Sequence, residues 1–120
     1  MDQILDMTVV EELLSFSDDG DPDLLLDLIR MFLEDGPSKV RAVTEGLLAG
    51  DFEKMERASH SLKGSSGNLG AHMLQETCEQ LQIASRNHKL ETLRPLAAEL
   101  VANYAKAEQA LRELHATYKP

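Results

Sequence analysis

His60-Ser61-Leu62-Lys63-Gly64-Ser65-Ser66-Gly67-Asn68-Leu69-Gly70 is the stretch on which the reading of this chain turns. Advancing a helix by about 100° per residue from His60 brings Gly64, Gly67 and Ala71 within about 40° of the imidazole. Leu62, Leu69, Met55 and Met73 fall on the opposite side. That apolar stripe has to face a core, which turns His60 toward water. A glycine inside a helix costs about 1 kcal/mol relative to alanine. Two of them beside an exposed histidine imply that something must come close to that ring.

Working outward, Gly50 reads as the C-terminal cap of the preceding helix and Asp51 as the N-cap of the one that carries His60. That helix ends near Gly67 to Gly70, where Gly70 with Asn68 makes the left-handed turn into the next. The next helix runs from about Ala71 to Arg86, with Leu74, Cys78, Leu81 and Ser85 facing in, and Asn87-His88-Lys89 is the last turn. Leu93, Ala97, Leu100, Tyr104, Ala107, Leu111, Leu114 and Tyr118 then form a sustained heptad-like seam, with Pro95 near its start. Upstream, Asp21 reads as an N-cap and Pro22 as the first helical residue of a helix whose apolar face is Leu24, Leu25, Leu28, Met31 and Phe32. Gly36-Pro37 reads as a kink in a helix that resumes through Val40, Val43 and Leu47, a true break being the other option. A short first helix starts at Thr8, because Thr8-Val9-Val10-Glu11 fits a capping box, and ends in a turn at Ser17-Asp18-Asp19-Gly20. No strand pattern, low-complexity segment or internal repeat occurs. The expected class is all-α: an antiparallel up-down four-helix bundle, with the short N-terminal helix lying across one end.

Composition agrees. The 120 residues make a single domain, 1–120, with a modest core. Aromatics are only 4% and Trp is absent, so the core must be Leu, Ala, Val and Met. No apolar run is long enough for a membrane span, and Met1-Asp2-Gln3-Ile4 lacks the basic start and apolar stretch of a signal peptide. One cysteine cannot form an internal disulfide. These features predict a cytoplasmic protein. The net charge of −9 argues against nucleic acid and against acidic membranes as partners.

At His60 to Gly70 the chain resembles the histidine-containing phosphotransfer (HPt) family. The family pattern, His-x-Leu-Lys-Gly-Ser-(Ser/Ala)-x-x-Leu-Gly, is met at every defined position. The resemblance extends to Gly50-Asp51, to Cys78-Glu79 and to the long last helix. It implies a phosphorelay protein of two-component signal transduction. His60 would carry a phosphoryl group between aspartates of receiver domains, those of response regulators or hybrid histidine kinases.

The residues themselves suit that chemistry. A neutral imidazole nitrogen is a nucleophile toward phosphorus, and histidine is the side chain that ordinarily titrates nearest neutrality. Phosphoryl transfer then needs in-line positioning and charge stabilisation. Lys63 lies one turn beyond His60 and can reach phosphoryl oxygens; Arg57 lies one turn before it. Any side chain at Gly64 would project where a partner's site must arrive. The receiver-docking face expected here is therefore Arg57, Gly64, Ser65 and Gly67. In an antiparallel hairpin each step along one helix is matched by a step back along the other. A turn centred near Gly70 and Ala71 sets His60 level with Gln82, which can fix one ring nitrogen. The resemblance also implies a Gln at this position. Ser66 points toward the core and can bond a carbonyl one turn back. The same reckoning sets Cys78 opposite Gly64 as a packing residue.

His72, His88 and His115 share no helix face with His60, so no metal site is expected. No phosphate-cradling glycine loop follows a strand, so neither a nucleotide cofactor nor kinase activity is expected. The leading reading is a free-standing, monomeric carrier. The alternatives are the phosphoacceptor module of a larger hybrid or chemotaxis-type histidine kinase and a structural helical adaptor. A sensor-kinase dimerisation helix pair fits less well, because Ser61 stands where an acidic residue usually follows the histidine. The heptad seam leaves a dimerising coiled coil as a further option.

Overall fold

A computed structural model describes residues 3–17 and 20–120 of the chain. Its five helices are α1 (Met7–Ser15), α2 (Asp23–Ala49), α3 (Phe52–Asn68), α4 (His72–Arg86) and α5 (Leu90–Tyr118). The last four form the bundle. Each packs on the next, and α2 closes the ring against α5. Tight turns make successive helices antiparallel. Gly50 (φ 69°) ends α2, and the Asp51 carboxylate accepts from the Lys54 amide to start α3. Gly70 (φ 78°) turns α3 into α4. His88, at φ 54°, takes the left-handed conformation between α4 and α5, and its ring stacks on Phe52 with centroids 4.3 Å apart.

At about 1.5 Å per residue, α2 and α5 are far longer than α3 and α4. The α3–α4 hairpin therefore stops short, and α1 covers the end it leaves. The Asp6 amide donates to Gly70 O at 2.9 Å, and Val10 is fully buried. The core is mostly aliphatic, with Phe32 and Tyr104 as its buried aromatics: Leu25, Ile29, Met55, Leu62, Leu81 and Leu100 are among the side chains wholly removed from water. Each such burial is worth about 1.5–3 kcal/mol.

Several local expectations need correction. The N-cap of α1 is Asp6, not Thr8: Asp6 Oδ1 accepts from the Thr8 amide at 3.0 Å. Asp6 wins because its own backbone is anchored to the α3–α4 turn. The N-cap of α2 is Pro22 and its first helical residue is Asp23, so Asp21 stands one residue outside the cap, where it accepts from the Asp23 amide. The turn read at Ser17 to Gly20 includes residues 18 and 19, which lie outside the described residues. On α2, Leu24 and Met31 are 42% and 51% exposed, while Ile29 is buried. The inner stripe runs through Leu25, Ile29, Phe32, Gly36 and Val43, with Leu24 and Met31 at its edge. Met73 is likewise exposed on α4, and Ala71 is buried in the turn rather than beside the imidazole. At Gly36-Pro37 only the alternative of a true break falls: α2 runs through both residues and resumes as expected. Pro37 removes one hydrogen bond to the carbonyl of Leu33, but Gly36 is there for packing. The Tyr104 ring lies against its bare backbone and stacks on Phe32 with centroids 5.3 Å apart.

Candidate functional site

The site is built on the α3–α4 hairpin, where side chains pair across the seam in strict register. Arg86 Nε donates to Glu56 Oε1 at 2.9 Å, Gln82 Nε2 lies 3.1 Å from His60 Nδ1, and Lys63 Nζ donates to Glu79 Oε2 at 2.8 Å. The side-chain amide of Gln75 lies over Gly67. Each step of three or four residues along α3 is matched by an equal step back along α4, as an antiparallel pair requires. His60 occupies the middle of this ladder. Its ring is exposed, and the rung to Gln82 engages its inner nitrogen.

The amide of Gln82 matters for which ring nitrogen is reactive. With Nε2 of Gln82 facing Nδ1, the ring nitrogen accepts and the imidazole proton sits on the outer Nε2. In this orientation Gln82 Oε1 is buried without a partner. A half-turn of the amide lets Oε1 accept from Nδ1–H and leaves the lone pair on the exposed Nε2. The two orientations have the same shape and opposite chemical consequence.

Gly64, one turn beyond His60, is exposed, and a Cβ there would meet nothing within 4 Å. The space beside the imidazole is open. Gly67 differs from the expectation. It faces the seam, where an added Cβ would collide with the flexible end of Gln75. Lys63 is not a free surface cation either, because Glu79 holds it. Its hydrogen bond, then its charge, lower the Glu79 carboxyl below the usual carboxylate range. Arg57 is exposed and 3.7 Å from Glu53 on its own helix, away from the ladder. Ser65 Oγ donates to Leu62 O at 3.3 Å and lines a groove of about 190 Å³ between α2 and α3, together with Met31, Gly36, Lys39 and Ser61. Ser66 is buried and bonds the carbonyl of Leu62. Cys78 is fully buried, and burial pushes its thiol up to about 12, which suits a packing residue.

Three residues at the site were not singled out for it from sequence: Glu56, Arg86 and the acceptor role of Glu79. The signal was present. The hairpin register that sets Gln82 level with His60 also pairs Glu56 with Arg86 and Lys63 with Glu79. Among the described residues, no group of three or more His, Cys, Asp or Glu side chains is arranged to hold a metal ion. No helix there is long and apolar enough to cross a membrane.

The Hpt domain family model matches residues 27–116. A phosphorelay intermediate protein of Saccharomyces cerevisiae is 32% identical over 103 residues, covering 82% of this chain and 58% of its own length. Histidine-containing phosphotransfer protein B from Pseudomonas aeruginosa superposes with a TM-score of 0.87 at 24% identity, covering 99% of this chain and 100% of that one. The HPT domain of a sensor hybrid histidine kinase from Shewanella gives a TM-score of 0.78 at 23% identity, covering 96% and 100%. The chain spans at most 60% of the length of the curated relatives it matches.

Proposed function

The chain belongs to the Hpt domain family, and on that premise we propose that it is a phosphorelay carrier: His60 takes a phosphoryl group from a receiver-domain aspartate and passes it to another. One observation carries this reading above the rest. An exposed imidazole has its inner nitrogen engaged by Gln82, and the space on its outer side is kept clear by Gly64.

The step follows from that arrangement. With Gln82 Oε1 accepting from Nδ1–H, the Nε2 lone pair of His60 attacks the phosphorus of an aspartyl phosphate. The new P–N bond forms as the P–O bond breaks, and the aspartate carboxylate leaves with the electron pair. The ring can then shed its Nδ1 proton to water, and the amide nitrogen of Gln82 donates to the bare Nδ1. Onward transfer reverses the sequence with a second aspartate as acceptor. Lys63 supplies positive charge to the phosphoryl oxygens. This chain contributes a nucleophile, its orientation and counter-charge. Chemistry of this kind rests on positioning and electrostatics.

The docking face is the exposed side of α3, with Gly64 at its centre and Arg57 at its edge. The α2–α3 groove, lined by Ser65 and the exposed Met31, flanks it. Gly67 belongs to this face only through Gln75, which covers it. The partners are receiver domains of response regulators or hybrid kinases, and the protein acts as a monomer in the cytoplasm without a nucleotide or kinase activity of its own. A second reading, in which the same domain serves as one module of a longer hybrid kinase, draws support from the fold shared with the HPT domain of the Shewanella hybrid histidine kinase. The two readings differ in where the phosphodonor is tethered, not in what His60 does.

The test is to offer a phosphorylated receiver domain to the protein and read intact mass. The parent gains the mass of one phosphoryl group, and His60→Gln gains none. Acid-labile phosphate persisting on the His60→Gln protein would overturn the assignment of the acceptor.

A further inference from the structure

The rung that orients His60 lies between two ion pairs of opposite polarity. On one side α3 supplies the cation, Lys63, and α4 the carboxylate, Glu79, at 2.8 Å. On the other side α3 supplies the carboxylate, Glu56, and α4 the cation, Arg86, at 2.9 Å. Both cations stand within one helical turn of the His60–Gln82 rung: Lys63 three residues after His60, and Arg86 four residues after Gln82. Both pairs are partly open to water. Pairs of that kind contribute little to folding, so their placement calls for an account beyond stability.

We propose that these two pairs are a held reserve of counter-charge: Glu79 and Glu56 park Lys63 and Arg86 beside a neutral His60, and release them to the phosphoryl group when it arrives. This rests on the carrier reading above. In the unphosphorylated protein each rung is neutral, and no uncompensated cation sits next to the ring. A phosphoryl group brings about −1.5 to −2 charges and three strong acceptor oxygens. It outbids a single carboxylate for an ammonium or guanidinium within reach, and Arg86 in particular can meet two oxygens at once. Drawing each cation away from its carboxylate gives up an ion pair. That cost, taken through Lys63 and Arg86, keeps the phosphorylated state from becoming a sink, as a carrier requires. Glu79 and Glu56 are thus positioning residues, acting through Lys63 and Arg86 rather than on the phosphorus.

The experiment is a double-mutant cycle on the lifetime of the phosphohistidine. The full chain is phosphorylated with phosphoramidate, the donor is removed, and decay at fixed mildly alkaline pH is followed by intact mass. The variants are Glu79→Gln, Glu79→Asp, Lys63→Ala and Glu79→Gln with Lys63→Ala. Glu79→Gln frees Lys63 and should lengthen the lifetime about 2- to 5-fold, the range of a partly exposed ion pair. Glu79→Asp should return toward the parent value. In the Lys63→Ala background, Glu79→Gln should change nothing, because its effect runs through the lysine. The matching cycle of Glu56→Gln with Arg86→Ala should behave alike. An unchanged lifetime in Glu79→Gln overturns the proposal. So does a lengthening that persists in the Lys63→Ala background, since the carboxylate would then act on the phosphoryl group by its own charge. If the parent accepts no phosphoryl group from phosphoramidate or from a receiver, the carrier reading falls and takes this inference with it.

Discussion

Two glycines on neighbouring helices separate the two reasons a helix gives up a side chain. At Gly64 an added Cβ meets open space, whereas at Gly36 it would collide with the Tyr104 ring and hydroxyl. Gly64→Ala should therefore stabilise the fold by up to about 1 kcal/mol, since alanine is the better helix former. Gly36→Ala should destabilise it by about 1–3 kcal/mol, the usual range for overpacking. Urea or thermal melts of the two variants check the opposite signs. Gly64→Gln goes further. It should fold and still take phosphate from phosphoramidate, yet accept it far more slowly from a receiver domain, because only the receiver needs the cleared surface. Unfolding of Gly64→Gln, or transfer from a receiver at the parent rate, would remove Gly64 from the docking face. The contrast also marks what sequence can show. The openness at Gly64 follows from its angle on a single helix. The crowding at Gly36 does not, because its neighbour Tyr104 comes from the last helix. Gln82 opposite His60 and Glu79 opposite Lys63 lie between these cases, since both follow from the register of a single hairpin.

The first helix is the element whose placement depends most on distant residues. Its N-cap, Asp6, does three things at once. It caps Thr8, its backbone bonds Gly70, and its carboxylate lies 3.0 Å from His72 Nε2 at the start of α4. The Thr8-to-Glu11 pattern was a sound local signal that lost to these contacts, since neither Gly70 nor His72 is near Asp6 in sequence. By contrast, the Gly50-Asp51 corner was legible because both caps act within a few residues. The Asp6–His72 pair gives α1 a pH dependence whose sign can be worked out. The hydrogen bond from His72 holds Asp6 below the usual carboxylate range, and the bond to Asp6, helped by Gln75, raises His72. A raised histidine stabilises fully below its ordinary pKa of about 6.5, and that contribution is lost as pH climbs through the raised value. A lowered carboxyl contributes above its ordinary pKa of about 3.9 and loses that contribution as pH falls through the lowered value. Helix α1 should thus be held most firmly at mildly acidic pH and loosen into the alkaline range. Amide hydrogen exchange in α1, corrected for its intrinsic pH dependence, should show protection falling above neutrality. His72→Gln should remove that slope while leaving protection in α3 and α5 as it was. Protection in α1 that ignores pH in the parent protein would mean that the pair does not hold the helix.

At the scale of the whole molecule, the question is whether the long seam of the last helix is spent inside the bundle or left for a second copy. Leu93, Ala97, Leu100, Tyr104, Ala107 and Leu111 are all buried, packed into the ring that α2, α3 and α4 complete. A heptad seam looks the same in sequence whether its partner is the same chain or another, which is why the pattern alone left a coiled coil open. The closure of α2 against α5 buries that seam within the chain, by a contact that joins the two ends of the bundle's sequence. Large apolar side chains exposed among the described residues are Met7 and Phe16 at α1, Leu24, Met31 and Leu48 on α2, Met73 and Ile83 on α4, and Val101 on α5. Apart from Met31, which flanks the proposed docking face, exposed apolar residues spread over several helices are ordinary on a monomer's surface. The net charge of −9 adds repulsion between copies. A single 13.3 kDa species is therefore expected in sedimentation at micromolar concentrations and moderate salt. With His60 as the proposed acceptor and one face around it, a receiver domain should add in a one-to-one ratio. A species of twice the mass that dissociates on replacing Val101 or Ile83 with a charged residue would show that one of these exposed side chains belongs to an interface, and would return the dimer to consideration.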